Sequence, residues 1–279
     1  MEIIAPAKIN LALDVITRRA DGYHQVDMVM QSIELSDQVT LEPAAKIELS
    51  CNLPYLPVDE RNLAWRAALL LQEITGVASG VKIEINKKIP VAAGLAGGST
   101  DAAAVLIGLN NLWKLGLSQS ELMKIGVRLG ADVPFCIMRG TARAEGIGEQ
   151  LTPINSSLKS RVLLITPNIP VSTALVYQKL KVEEINKHPQ IATVIAALLA
   201  GDGQALYEVW GNVLEEVALR ENSQITQVKA YFNSYGLNHC LMSGSGPSVF
   251  ALDPPQEIIG PFLAGLPSGW FGCLTRFLS

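Results

Sequence analysis

Residues 94–100 read Gly94-Leu95-Ala96-Gly97-Gly98-Ser99-Thr100, a composition able to hold an anion with little more than backbone. Its three glycines remove β-carbons that would keep a phosphate away, and they permit positive φ. From Thr100 to Trp113 the pattern turns helical and alanine-rich. The first N–H groups of a helix have no internal partner and carry partial positive charge, which favours an anion. Ser99 and Thr100 add hydroxyl donors at that mouth. The same residues also suit a tight strand-to-helix turn whose glycines only allow close packing, and the turn alone does not choose between the two. Two phosphate loops are excluded. No lysine follows the glycines, so G-x-x-x-x-G-K-[ST] is absent, and G-x-x-G-G is not G-x-G-x-x-G. A second small-residue run, Ser243-Gly244-Ser245-Gly246, fails G-x-S-x-G because Ser243 occupies the first glycine position, which argues against a hydrolase nucleophile elbow.

Composition narrows the setting for this chemistry. The 279 residues include 17% charged and 49% hydrophobic side chains, with a net charge of −4, as expected of a globular protein with a sizeable core. The charge gives no footprint for nucleic acid or an anionic membrane. Any anion site must therefore be local. Cys51, Cys136, Cys240 and Cys273 are scattered, as are His24, His188 and His239, so neither a disulfide framework nor a zinc site is spelled out. The first residues carry no basic leader or Arg/Ser-rich transit pattern, and the longest apolar run, Ile191 to Ala200, is too short to span a bilayer. The expectation is a cytoplasmic protein.

The elements that must position the turn follow from periodicity. Ile9, Leu11, Leu13 and Val15 alternate with other residues at a period near two, and the run breaks at a polar turn ending in Asp21-Gly22. Strand patterning resumes over Met28 to Leu35 and Val39 to Leu41. Leu63, Ala67, Leu70, Leu71 and Ile74 mark a helix face stopped by Gly76. Val81, Ile83 and Ile85 form a strand leading into the glycine-rich turn. Ser118 to Glu121 has capping-box spacing. Beyond a proline-containing linker at Leu151 to Ser157 come a strand at Val162 to Ile165, helices at Ile191 to Leu199 and Gln224 to Tyr235, and short strands at His239 to Met242 and Val249 to Leu252. Helices and strands mix without strict alternation, which predicts an α+β fold.

Three segments, in order and at their separations, resemble the motifs of the GHMP kinase superfamily, which includes galactokinase, homoserine kinase and mevalonate kinase. They are Pro6-Ala7-Lys8-Ile9-Asn10-Leu11, the stretch Pro90 to Ala104, and Met242 to Phe250. Arg18-Arg19-Ala20-Asp21-Gly22-Tyr23-His24, Gly130 to Phe135 and Ala144 to Glu149 look like the branch whose substrate is a diphosphocytidyl sugar alcohol. The resemblance spans essentially the whole chain. It implies an N-terminal ribosomal-S5-domain-2-like domain over residues 1–155 that binds ATP and carries catalysis, and a C-terminal ferredoxin-like domain over 156–279 that binds substrate. It also implies ATP as co-substrate, Mg²⁺, and phosphorylation of a small molecule bearing a cytidine diphosphate, on the non-mevalonate route to isoprenoid precursors.

Carried over residue by residue, the resemblance makes Lys8 and Asp132 the catalytic pair. Phosphoryl transfer needs an oriented hydroxyl and neutralised charge, although a structural ion pair would use the same residue types. ATP contacts fall on Pro90, Val91, Ala92, Ala93, Gly94, Leu95, Ala96, Gly97, Gly98, Ser99 and Thr100. Ser243, Gly244, Ser245 and Gly246 become support for that turn, or simply a small-residue hairpin beneath it. Asn10, Asp21, Tyr23, His24 and Tyr177 fall at substrate positions, the two tyrosines stacking on the cytosine and His24 hydrogen-bonding its edge. Tyr177 suits a core helix equally well. Ser99, Thr100 and Asp101 are candidates to touch Mg²⁺. Ala92, Ala93 and Ala96 stand where many members have glycine, so a reshaped turn is expected. A kinase for another alcohol, or a non-catalytic sensor on the same scaffold, are the alternatives.

Overall fold

The structure, a computed structural model, describes residues 1–278. In chain order its elements begin with β1 (Glu2–Arg18), β2 (His24–Ala44), β3 (Ile47–Cys51), α1 (Leu63–Thr75), β4 (Gly80–Asn86), α2 (Gly97–Leu112), α3 (Gln119–Val127) and α4 (Val133–Met138). Next come β5 (Thr141–Glu145), β6 (Gln150–Pro153), β7 (Arg161–Thr166), α5 (Thr173–Lys179), α6 (Ile191–Ala200) and α7 (Gly203–Val209). The chain ends with β8 (Gly211–Asn212), α8 (Leu214–Glu221), α9 (Ser223–Ser234), β9 (Leu241–Met242), β10 (Val249–Leu252), α10 (Gln256–Ala264) and β11 (Phe271–Arg276). These elements form two compact units. One comprises Met1–Ala7, Leu35–Val91 and Ala96–Arg139; the other comprises Lys8–Glu34, Ala92–Leu95 and the chain from Gly140 onward.

In the first unit, β2 pairs antiparallel with β4 from Gln38↔Asn86 to Ala44↔Gly80. Strand β3 pairs parallel with β4 from Ile47↔Val81 to Cys51↔Ile85, and α1 makes the crossover that parallel neighbours require. Helix α1 starts where Asn62 Oδ1 accepts the Ala64 N–H at 2.9 Å and stops at Gly76, left-handed at φ 71°. Its buried residues are Ala64, Ala67, Ala68, Leu70 and Leu71. Helix α2 buries Ala102, Ala103, Ala104, Val105, Leu106 and Leu109, a small-residue face that lets the helix lie close. The contact is tightest at Gly108, where a β-carbon would run into the side chains of Ile3 and Leu41. The capping box read at Ser118 and Glu121 is present at the start of α3.

The second unit has two sheet regions. In one, β1 and β2 join through the Arg19–Tyr23 turn, where the Arg19 N–H donates to the Tyr23 carbonyl at 2.8 Å. Strand β5 pairs antiparallel with β2 and with β6, and β8 pairs parallel with β1 at Ala12↔Gly211 and Leu13↔Asn212. The other sheet has the order β11-β7-β10-β9, antiparallel throughout. Numbered within this sheet it runs 4-1-3-2, the ferredoxin-like order. The alternation read over Ile9 to Val15 is not a half-exposed strand. Every residue from Lys8 to Val15 is buried, because Asn10 and Asp14, on the second face, find hydrogen-bond partners there. The two strand patterns at 28–35 and 39–41 prove to be parts of one strand of 21 residues. Among the described residues no helix is long and apolar enough to cross a membrane.

The close seat of α2 gives a direct test. Gly108→Val should destabilise the protein by about 2–3 kcal/mol through overpacking against Ile3 and Leu41, read as a lower urea midpoint at unchanged m-value.

Candidate active site

The glycine-rich turn leaves β4 and enters α2 at Gly97, with Ala96 in the N-cap position at φ 57°. Ala96 offers no side-chain oxygen and the first helical turn holds no acid. The Thr100 N–H takes the Ala96 carbonyl at 2.9 Å, and the N–H groups before it lack intrahelical partners. Gly98 is exposed, and Gly97 and Ser99 are half-buried, so an anion can reach them. Ala92 (φ 52°) and Ala96 (φ 57°) both adopt the left-handed backbone. Both alanines thus hold a backbone that favours glycine, at roughly 1–2 kcal/mol of strain per alanine. Ala93 shows no positive φ.

Within the second unit, the turn is gripped from the middle of β1 and from the residue before β10. The Lys8 N–H donates to the Leu95 carbonyl at 3.1 Å and the Ser248 N–H to the Ala93 carbonyl at 3.4 Å. Ser243 Oγ donates to the Gly94 carbonyl at 2.9 Å. Gly94 has φ 75°, and a β-carbon there would collide with the Ser243 carbonyl oxygen. The Ser243–Gly246 run thus lies against the turn, where Gly244 is left-handed at φ 56° and Ser245 Oγ pairs with Thr173 Oγ1 at 2.8 Å. Lys8 is buried on β1, and its Nζ donates to Asn10 Oδ1 at 2.7 Å. The Asn10 amide donates in turn to Met28 Sδ at 3.3 Å.

In the first unit, Asp132 stands at the start of α4, a six-residue helix with Pro134 in its first turn. Its side chain does not cap that helix, and the residue is half-buried. The turn before it folds back with the Val133 N–H donating to the Gly130 carbonyl at 3.1 Å. A β-carbon on Gly130 would lie 4.0 Å from Ser99 Oγ. The Asp132 turn is therefore a neighbour of the first turn of α2.

The Asp21–His24 segment and Tyr177 meet in the second unit. Arg19 and Asp21 form a two-pronged ion pair, with Nη2 to Oδ2 at 2.8 Å, and the Tyr23 N–H donates to Asp21 Oδ1 at 3.1 Å. The Arg19 hydrogen bond holds the Asp21 carboxyl below its ordinary range. This Asx-type turn presents Tyr23 at 61% exposure. His24 is buried, and its ring lies 5.2 Å from that of Tyr177 at 36°. Burial first, then the nearby Arg18 charge, lowers the His24 pKa. The imidazole is therefore neutral at neutral pH, with one nitrogen to donate and one to accept.

One cluster escaped the sequence reading. Beneath the start of α2 Lys87 Nζ bonds Asp37 and lies 2.7 Å from Asp101 Oδ2, all three side chains being buried. Asp37 Oδ1 also accepts the Lys88 and Ile89 N–H groups at 2.6 and 2.8 Å. Burial pushes the Asp101 carboxyl up to about 7 against the pull of Lys87, and the Asp37 charge adds to the rise. Burial works against the Lys87 ammonium, but the two carboxylates outweigh it and hold its pKa raised. A signal was available, since Lys87 continues the inward alternation Val81, Ile83, Ile85. Asp101 is thus an ion-pair member deep in α2 as well as an acid near a helix start. For a divalent cation, Ser99 is the reachable oxygen of the three candidates. Thr100 Oγ1 and Asp101 Oδ1 are sealed from solvent and have no hydrogen-bond partner. Among the described residues no three His, Cys, Asp or Glu side chains form a metal cage, so this donor set fits Mg²⁺ carried on nucleotide phosphates rather than held by protein alone. A cleft of about 890 Å³ in the second unit, walled by His188, Trp210, Arg220 and His239, contains none of the site residues read from sequence.

Comparison with known proteins follows the same outline. The family model for the GHMP kinases N terminal domain matches residues 62–140, and that for GHMP kinases C terminal matches residues 187–259. A 4-diphosphocytidyl-2-C-methyl-D-erythritol kinase of Lachnoclostridium phytofermentans is 46% identical over 285 residues, covering 99% of this chain and 98% of the relative. One from Geobacillus thermodenitrificans is 49% identical over 255 residues, covering 90% and 88%. A crystal structure of 4-(cytidine 5'-diphospho)-2C-methyl-D-erythritol kinase superposes with a TM-score of 0.84 at 33% identity, covering 100% of both chains.

The buried cluster is expected to be structural in the first instance. Lys87→Met leaves two carboxyl groups buried without their cation and should cost about 3–5 kcal/mol, measured by urea unfolding. A loss below about 1 kcal/mol would mean that the pair is not dry.

Proposed function

This chain belongs to the GHMP kinase family, and within it to the 4-diphosphocytidyl-2-C-methyl-D-erythritol kinases, and we propose that it transfers the γ-phosphoryl group of ATP to the 2-hydroxyl of that substrate. The observation that carries the substrate choice is the pairing of buried, neutral His24 with Tyr177 beside exposed Tyr23. A cytosine offers a face to stack on and an edge to hydrogen-bond, whereas mevalonate and homoserine offer neither.

We assign the transfer chemistry to the chain as follows. The uncapped N–H groups at Gly97, Gly98 and Ser99 receive ATP phosphate oxygens, and the dipole of α2 adds favourable potential. Asp132, next to that helix start, orients the substrate hydroxyl and accepts its proton as the phosphoryl group leaves ATP. Lys8, fixed by Asn10, supplies positive charge against the charge that develops on the transferring group. Ser99 would help to hold Mg²⁺ carried on the nucleotide, and the ion would supply neutralisation of phosphate charge. Pro90 to Thr100 form the phosphate turn, with Ser243 to Gly246 supporting it. Asn10, Asp21, Tyr23, His24 and Tyr177 form the substrate side. We place the division between the ATP-binding and substrate-binding parts after residue 155, supported by the stretch 154–160, which has neither helix nor strand. A cytoplasmic setting, without nucleic-acid or membrane partners, completes the proposal.

The test is ADP release from purified protein with Mg-ATP and a panel of alcohols. Turnover of the diphosphocytidyl compound, and not of mevalonate or homoserine, is the expected result, and the opposite pattern overturns it. Asp132→Asn should lower kcat by about 10²- to 10⁴-fold with ATP affinity retained. Wild-type-like turnover would remove Asp132 from the step. Tyr23→Ala should raise KM for the cytidyl substrate by about tenfold or more and leave KM for ATP within about twofold.

A further inference from the structure

The support under the phosphate turn has its own foundation, and sequence reading passed over it. Strand β8 is two residues long, Gly211–Asn212, and runs beside β1 at Ala12 and Leu13. Its Asn212 side chain is buried, at 9% exposure. The two amide hydrogens of Asn212 go to two carbonyls, Met242 at 2.8 Å and Gly244 at 2.7 Å, while Oδ1 accepts the Leu214 N–H at 3.0 Å. One turn later Glu215 Oε1 accepts the Met242 N–H at 3.0 Å and is held by Lys229 Nζ at 2.7 Å. Both backbone polar groups of Met242 are therefore taken by side chains three residues apart. Immediately after Met242, Ser243 donates to the Gly94 carbonyl at 2.9 Å. Gly244, the second residue bound by Asn212, would bring a β-carbon to 3.2 Å from that same carbonyl.

We infer that Asn212 and Glu215 are positioning residues for ATP, clamping Met242 and Gly244 so that Ser243 sets the height of the phosphate turn at Gly94. The inference rests on the reading of that turn as the ATP phosphate site. No other side chain replaces Asn212 without loss. A carboxylate in its place would face two carbonyl oxygens with no hydrogen to give, and an apolar residue would leave both carbonyls buried and unpaired. The clamp matters to binding because the Ser243 carbonyl packs so close to Gly94 that no β-carbon fits between them, and the short Ser243 hydroxyl bonds the Gly94 carbonyl. A shift of Met242 is passed to the turn through both contacts, and misplacement on the order of 1 Å is costly in an oriented site.

The experiment measures ATP binding by titration calorimetry, in Mg²⁺ and without acceptor, for the wild type, Asn212→Asp and Glu215→Ala. Asn212→Asp keeps the size and the Leu214 acceptor, loses the two donors and sets a carboxylate against the two carbonyls, whereas Glu215→Ala adds no charge. The clamp predicts ATP affinity weakened by about tenfold in each variant, with affinity for the diphosphocytidyl substrate within about twofold. Glu215→Gln, which keeps the acceptor for Met242, should recover most of what Glu215→Ala loses. A fall in melting temperature with unchanged ATP affinity, or equal weakening of both ligands, would reduce these residues to scaffold and overturn the inference. If Asn212→Asp does not fold, Glu215→Ala decides by the same two outcomes. Failure of the wild type to bind ATP would instead overturn the kinase reading itself.

Discussion

Where Gly94 meets Ser243, two stretches of backbone 149 residues apart in sequence lie too close for a β-carbon at 94, and the Ser243 hydroxyl bonds across to the Gly94 carbonyl. Nearly everything at the phosphate turn in the second unit refers back to that contact. It requires glycine at 94, since the φ of 75° and the space both exclude a β-carbon. It requires Ser243 at the end of β9, because the hydroxyl donates to the carbonyl that the backbone has just been allowed to approach. Lys8 joins the same turn one residue along, through its N–H to Leu95. The catalytic lysine of the proposal and the phosphate turn are thus registered by main-chain geometry, the stiffest connection a protein has.

Two groups of charges are used differently. In the first, the cation–carboxylate cluster of Lys87, Asp37 and Asp101 is dry and near the glycine turn. A β-carbon on Gly97 would come within 3.1 Å of Lys87 Nζ, so the cluster fixes how deep α2 begins. In the second, the ion pair of Arg19 and Asp21 is exposed. Such a pair contributes little to stability, and its use is local: it shapes the turn that carries Tyr23. The buried charges set the position of a helix start, and the exposed pair shapes a loop.

The glycine turn, the helix after it, the strand before it and the capping box at Ser118 were all legible, because each is written in local periodicity or turn chemistry. The meeting of His24 with Tyr177 was not, since the two lie 153 positions apart and the resemblance put each at a substrate position without bringing their rings together. Other features were hidden for a physical reason. Asn212 lies in a strand of two residues, too short for any period to register. Lys87 went unread because the partner that accounts for its burial, Asp37, lies fifty residues earlier. The burial of both faces of β1 from Lys8 to Val15 was concealed because the partners of Asn10 and Asp14, Lys8 for the one and the Val15 N–H and His188 for the other, do not show in a period-two pattern.

The left-handed alanines at 92 and 96 bear on how such turns are recognised at all. The local letter and the local shape have come apart there, with the shape imposed by its surroundings and the letter free to drift by one methyl group. A search pattern demanding glycine at those two places would pass over this chain while its backbone is still left-handed at both. Degeneracy of this kind has a limit, and it falls at Gly94, where the neighbouring carbonyl leaves a methyl nowhere to go.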